Sequence, residues 1–227
     1  MVIVHFPEIL KKCKRGPQVI LPKDIGIILA YSGIGKNSVV VDAGAGSGWL
    51  AVSLANVAKK VTAYEWREEF AELAEKNAKR AGVQDTLTIK RANVLEGIEE
   101  REVDLVTLDL ADSDKAVAHA HAAIRAGGMI FGYLPHVEQA RRFFEACTAA
   151  GFDQPHMMEV IVRDYLVRES GVRPENTGLT HTAYLVFATK KLQAASAAAE
   201  SGDSTRMKKP QASPSDAKSE DSTQRKK

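Results

Sequence analysis

The chain reads as an α/β protein with a doubly wound, mostly parallel sheet of seven strands and an antiparallel hairpin at its end. Three observations carry this. Residues 39–190 alternate short apolar runs with helical patterns, the arrangement that builds a parallel sheet with crossover helices. The first apolar run ends in an acidic residue and three alternate glycines, Val39-Val-Val-Asp-Ala-Gly-Ala-Gly-Ser-Gly48. The last two apolar runs have no long helix between them, so they pair as neighbours running in opposite directions.

The elements follow in order. A helix is expected over 23–32 and the first strand over 39–42. A helix over 47–57 opens on the glycine turn and leads to a strand over 60–64. The helix over 66–81 has a solvated face, Glu68, Glu69, Glu72 and Glu75 with Lys76, Lys79 and Arg80, whose opposite charges suit neighbouring turns. Gly82 suits its stop. Strands follow at 87–91 and 103–109, a helix at 114–124, a strand at 128–134 and a helix at 136–150. Strands at 157–164 and 182–189 close the pattern.

Composition bounds the rest. The chain has 227 residues, 44% hydrophobic, with a net charge of +2, enough for one core and a tail. No apolar run approaches the roughly 18 residues of a membrane span, and the N-terminus has no basic and apolar leader pattern. Cys13 and Cys147 are the only cysteines. They read as free thiols in a reducing cytoplasm, with no metal site. Residues 193–227 hold seven Lys/Arg and five Asp/Glu, which leaves 24 of each sign in residues 1–192. That tail is rich in Ala, Ser, Lys, Asp and Glu and is expected to be disordered, because it cannot bury enough apolar surface to offset ordering. The expected organisation is an N-terminal segment over 1–22, a ligand-binding domain over 23–192 and the polar tail over 193–227.

The glycine turn is neither of two better-known loops. A dinucleotide fingerprint needs G-x-G-x-x-G, and Trp49 stands where its third glycine belongs. A phosphate loop needs G-x-x-x-x-G-K-[ST] after a strand, whereas Gly33-Ile-Gly-Lys36-Asn37 precedes the strand. Asp42 at the mouth of the turn repels a pyrophosphate but suits a cation. The turn therefore suits a nucleoside with a polar, phosphate-free tail.

In open α/β sheets ligands bind at the carboxyl ends of the strands. The candidates there are Asp42 with Gly44, Ala45, Gly46, Ser47 and Gly48 after the first strand, and Glu65 after the second. Asn93 and Val94 follow the third, and Asp109 ends the fourth. A carboxylate at Glu65 can accept both ribose hydroxyls, and an Asn amide can both donate to and accept from an adenine edge. Each polar candidate also has a structural reading. Glu65 can pair with Arg67 or Lys60, Asn93 can cap a turn, and Asp109 can cap the following helix. His181, entering the last strand, is a weaker candidate, and the other histidines show no ligand spacing.

Asp42 to Gly48 with Glu65 resembles the first two motifs of S-adenosylmethionine (SAM) dependent methyltransferases. The resemblance narrows further. Arg15-Gly-Pro-Gln-Val-Ile-Leu-Pro-Lys-Asp24, Tyr64-Glu-Trp-Arg67, Phe70-Ala-Glu-Leu-Ala-Glu-Lys-Asn77, Leu134-Pro-His-Val-Glu-Gln139, Val172-Arg-Pro-Glu175 and Thr180-His-Thr182 resemble segments of the tRNA adenine-N1 methyltransferases. Those enzymes modify T-loop position 58, and some archaeal members also position 57. The resemblance implies the Rossmann-like sheet of class I methyltransferases, SAM as cofactor, tRNA as partner, a cytoplasmic location and a homo-oligomer, usually a tetramer. It implies that Gln18 approaches the methionine end of SAM, that Asp109 sits at the methyl-transfer site, and that His181 lies near the target base. The fourth motif departs from the family pattern: Asp109-Leu-Ala-Asp-Ser-Asp114 lacks its prolines and tryptophan, and Asn93 stands where the family commonly has Asp. Two other readings remain: a SAM methyltransferase acting on a protein isoaspartyl carboxylate or a precorrin-like small molecule, and a non-catalytic subunit on the same fold.

Overall fold

The computed structural model describes residues 6–176 and 178–192. The tail over 193–227 lies outside the described residues. One sheet organises the rest. Its strands are β1 (Val39–Ala43), β2 (Lys60–Tyr64), β3 (Leu87–Lys90), β4 (Val103–Leu108), β5 (Ile124–Leu134), β6 (Phe152–Glu159) and β9 (Tyr184–Lys190), in the spatial order β3-β2-β1-β4-β5-β9-β6. β1 to β5 are parallel, and β9 runs antiparallel between β5 and β6. The helices are α1 (Glu8–Lys11), α2 (Pro22–Ser32), α3 (Trp49–Ala55), α4 (Glu68–Ala81), α5 (Ser113–Ala123) and α6 (Val137–Ala149).

The unbroken apolar runs of the inner strands follow from burial on both faces. Val40, Val61, Leu105 and Phe131 join the core beneath α2 and α3. Val41, Tyr64, Val106 and Ile130 join the core beneath α5 and α6. Strand order reverses between β1 and β4, so the carboxyl ends of those two strands flank the crevice where ligands bind in such sheets.

The expected pattern of seven strands and five helices is present, with three differences. β6 starts at Phe152, earlier than the apolar run at 157–164 implied. It is an edge strand with most residues exposed, so apolar content does not mark its extent. A register shift between Asp153 and His156, with Gln154 at φ 43°, bends it midway, as a bulge does. β5 starts at Ile124 rather than 128 because it passes through an irregularity at Gly127. Between β6 and β9 the chain forms a separate hairpin, β7 (Tyr165–Arg168) with β8 (Gly171–Pro174). Its strands are four residues each and mostly exposed, too short to leave a periodic signal.

The N-terminal segment is strapped onto the sheet's helices. Leu10, Cys13 and Ile20 are buried in the same core as Trp49 and Leu50, and Phe6 packs edge-to-face on Trp49 at 5.3 Å. Asn77, fully buried on α4, makes the strap. Its Oδ1 accepts from Lys14 N at 2.8 Å, and its Nδ2 donates to Lys14 O and Ser47 O, each at 2.8 Å. One amide thus joins the segment, α4 and the glycine turn. Removing a buried partner leaves polar groups unsatisfied at about 1–3 kcal/mol each. Asn77→Ala should therefore lower unfolding free energy by about 3 kcal/mol in urea titration. A loss below about 1 kcal/mol would show that water or the neighbouring chain replaces the strap.

Candidate active site

A cavity of about 580 Å³ opens at the carboxyl ends of the parallel strands, within the size range of small-ligand sites. Each strand supplies part of its wall. Gly44 follows β1; Tyr64, Glu65, Trp66 and Arg67 follow β2; Ala92 to Leu95 follow β3; Asp109 to Asp112 follow β4; and Pro135, His136 and Gln139 follow β5. Gln18 closes the wall from the N-terminal segment.

The glycine turn is folded tightly because its neighbours demand it. Gly44 has φ 82°, and a Cβ there would lie 2.0 Å from the Asp109 carbonyl oxygen. No residue with a side chain fits that contact. Gly44 N and Ala45 N both donate to Tyr64 O, at 3.0 and 3.1 Å. Gly46 N donates to Glu65 Oε2 at 2.8 Å. Gly48 has φ 80° and packs against Ala74 of α4. The turn thereby draws the ends of β1, β2 and β4 together.

Three carboxylates converge there. Asp42 is 1% exposed; its Oδ1 accepts from the Thr107 hydroxyl at 2.5 Å, while its Oδ2 has no partner among the described residues. Burial pushes its pKa up to about 6, against the Thr107 hydrogen bond and with the Glu65 charge adding to the rise. Asp109, half-buried in the cavity wall, is pushed up to about 7, by burial first and then by the charge of Asp42, with Arg67 opposing. Glu65 is 2% exposed. Burial alone would raise its pKa, but hydrogen bonds from the Arg67 side chain, Arg67 N and Gly46 N bring it below the usual value. The Arg67 guanidinium holds both Glu65 oxygens, at 3.0 and 3.2 Å. Among the described residues it is the one permanent cation in the cavity wall, and it is already paired. The site is therefore anionic, which suits a cationic ligand and disfavours a phosphate.

Of the residues singled out in the sequence, Gln18, Gly44, Glu65, Asn93, Val94 and Asp109 line the cavity. Asp42, Ala45, Gly46, Ser47 and Gly48 are not among the lining residues. Several structural readings hold alongside. Glu65 does pair with Arg67, and Asn93 Oδ1 accepts from Leu95 N at 3.1 Å, capping a single 3-10 turn. Asp109 does not cap α5, whose N-cap position is Asp112 with no side-chain capping bond.

His181 lies outside the cavity wall. Its Nδ1 is 2.6 Å from Glu159 Oε1, and its Nε2 is 2.9 Å from Pro135 O. It thus ties the cavity-lining Pro135 to β6. Behind it, Asp24 is fully buried, with its carboxylate accepting from Lys23 Nζ at 2.8 Å and Thr182 Oγ1 at 2.9 Å. Trp66, His136 and Gln139 are cavity residues to which the sequence reading gave no individual role, and Arg67 is one it read only as a partner for Glu65. Trp66 is 70% exposed at the cavity, and its place directly after Glu65 was the available signal.

A ring with acceptors at both nitrogens is best satisfied when doubly protonated. The Pro135 carbonyl and then the Glu159 carboxylate accordingly raise the His181 pKa. A raised pKa places this contribution to stability at acid pH, to be lost as pH rises through the folded-state value. By NMR, His181 should titrate above the ordinary histidine range, and Glu159→Gln should bring it down. A midpoint at or below the ordinary value would dismiss the bridge.

The residues fit the cofactor that the sequence resemblance implied. A carboxylate oxygen without a partner, a turn that excludes any Cβ, and an anionic wall are features a sulfonium nucleoside would use. Comparison with known proteins agrees. Residues 2–218 match the family described as tRNA methyltransferase complex GCD14 subunit. The chain is 36% identical over 210 residues to the tRNA (adenine(57)-N(1)/adenine(58)-N(1))-methyltransferase TrmI of Methanocaldococcus jannaschii, covering 80% of this chain and 74% of the relative. Among solved structures it resembles a SAM-dependent O-methyltransferase from Thermotoga maritima (TM-score 0.78, 31% identity, 83% of this chain and 73% of that one). It also resembles the tRNA (m1A58) methyltransferase TrmI of Aquifex aeolicus (TM-score 0.77, 26% identity, 82% and 77%). The fold is the seven-stranded, Rossmann-like sheet of class I methyltransferases.

Proposed function

We propose that this chain, which belongs to the tRNA methyltransferase complex GCD14 subunit family, transfers a methyl group from SAM to N1 of adenosine in tRNA. The single observation that carries the reading is the anionic cavity lined by Glu65 and Asp109, with the carboxylate of Asp42 buried beside them, at the switch point of the sheet. The names of the relatives in Methanocaldococcus jannaschii and Aquifex aeolicus support the T-loop, position 58 and also 57, as target.

SAM supplies an electrophilic methyl carbon on a sulfonium. The chain's own groups bind and orient around it. Each Glu65 oxygen already accepts two hydrogen bonds, Oε1 from Arg67 N and Nε and Oε2 from Gly46 N and the Arg67 guanidinium, so the ribose hydroxyls would bind Glu65 by displacing the Arg67 side chain. Asn93 uses Oδ1 on Leu95 N and keeps its NH₂ as a donor for the adenine edge. Gln18 stands at the methionine end. Asp42, enclosed behind Gly44, acts through its field. Adenine N1 would attack the methyl carbon with its own lone pair while the carbon–sulfur bond breaks and the sulfur leaves as a neutral thioether, so no base is needed before attack. The ring becomes cationic, and Asp109 is placed to accept a hydrogen bond from the exocyclic amine and offset that charge. Extruding the base costs a few kcal/mol.

The reading also expects a cytoplasmic protein that self-associates. Among the described residues no helix is long and apolar enough to cross a membrane. The β7–β8 hairpin exposes Tyr165, Val167 and Val172, and a two-stranded hairpin is marginal without a covering partner, which supports a homo-oligomer, a tetramer in this reading.

Incubation with methyl-labelled SAM and unmodified tRNA, followed by digestion to nucleosides, should yield N1-methyladenosine. Asp109→Asn should cut kcat by about 10²–10³-fold, the range for one preorganised electrostatic partner, and leave SAM affinity within a few-fold. No labelled nucleoside with any tRNA would overturn the function, and full activity of the Asn variant would overturn the role of Asp109.

A further inference from the structure

The N-terminal segment gathers positive charge that the rest of the domain balances. Lys11, Lys12, Lys14 and Arg15 are four cations in five positions, against 24 of each sign across residues 1–192. All four are exposed. Lys11 pairs with Glu8 on its own helix. Lys12, Lys14 and Arg15 have no ion pair among the described residues, whereas Lys76 on α4 and Arg91 beside it are paired with acids of that helix.

This run is held in place rather than dangling. Lys14 is fixed through both backbone groups to Asn77, and Trp49 Nε1 also donates to Lys14 O at 3.3 Å. Gly16 sits so close to Ser47 that an added Cβ would fall 3.0 Å from its Cβ. Arg80 joins the same amide, donating to Asn77 Oδ1 at 2.9 Å. Three residues beyond Arg15, Gln18 lines the cavity. At no more than about 3.6 Å per residue, the last cation stands within roughly 11 Å of the cavity rim.

We propose that Lys12, Lys14 and Arg15 form a docking ledge for the sugar-phosphate backbone of the substrate RNA, next to the cavity that takes its base. The proposal rests on the tRNA reading above. Unpaired cations on a fixed backbone gain from a polyanion by displacing its condensed counterions, about 0.9 of an ion per phosphate contact on a duplex and about 0.7 on a single strand. The anionic cavity cannot hold phosphate itself, so the backbone must be gripped outside it.

The test compares tRNA binding by fluorescence anisotropy across salt concentrations for three proteins. These are wild type, the triple variant Lys12→Gln, Lys14→Gln, Arg15→Gln, and a control triple, Lys36→Gln, Lys59→Gln, Lys60→Gln. The control removes the same charge from exposed positions next to the amino ends of β1 and β2, opposite the cavity. Thermal melts and SAM titrations of each establish folding. The ledge variant should bind tRNA at least tenfold more weakly near 0.1 M salt, with a salt slope shallower by about two to three, while its SAM affinity is unchanged and the control stays near wild type. An unchanged slope, or an equal loss in the control, would overturn the ledge. If the triple fails to fold, the single Gln variants carry the test, each flattening the slope by about one. Methylation is assayed separately. Tight tRNA binding with the expected slope change but no N1-methyladenosine would sink the function and keep the ledge; methylation with an unaltered ledge variant would do the reverse. A wild type that binds no tRNA would sink both.

Discussion

The site depends on one backbone contact, the approach of Gly44 to the Asp109 carbonyl. A Cβ at Gly44 would stand 2.0 Å from that oxygen, and Asp109 N donates to Ala43 O at 2.9 Å. The loops after β1 and β4 are therefore pressed together at the point where strand order reverses. Tyr64 O, accepting from Gly44 N and Ala45 N, draws in the end of β2. With three strand ends joined, Asp42, Glu65 and Asp109 become neighbours.

Their proximity sets the chemistry. Like charges at close range cannot all ionise without a counter-charge. Glu65 has one in Arg67 and stays ionised. Burial raises Asp42 and Asp109 to about 6 and about 7, with the charges of Glu65 and Asp42 adding to it and Arg67 opposing it only in part at Asp109. The free site is thus electrostatically incomplete near neutral pH. In the function proposed above, a cationic ligand completes it, and a ring that becomes cationic during reaction is stabilised by the same field.

Much of this was legible in the sequence because it rests on local patterns. The alternation of runs marked the parallel sheet. The glycine spacing with Asp42 and Glu65 marked the ligand turn, and its mismatch with phosphate loops agrees with the anionic wall. Where two roles were weighed for Glu65 and Asn93, the structure holds the local one at a cavity position, an ion pair that occupies both Glu65 oxygens and a turn cap that uses only Asn93 Oδ1. Less was legible where contacts are remote in sequence. Asn77 bonds Lys14 across 63 positions, and nothing in its helix signals that duty. His181 stood out as a lone histidine near the last strand, but its partners Glu159 and Pro135, 22 and 46 positions away, left no local pattern to read. The β7–β8 hairpin and the start of β6 escaped because exposed edge strands need no apolar run.

The central claim is that the three-carboxylate site is completed by a cation. Titration calorimetry of SAM into the protein at pH 6.5, in buffers of different ionisation enthalpy, measures the protons exchanged on binding. The account predicts net proton release, because Asp109 and Asp42 are partly protonated in the free protein and ionise against a bound sulfonium, and it predicts a smaller release for Asp109→Asn. Binding with no proton release, or with net uptake, would contradict it.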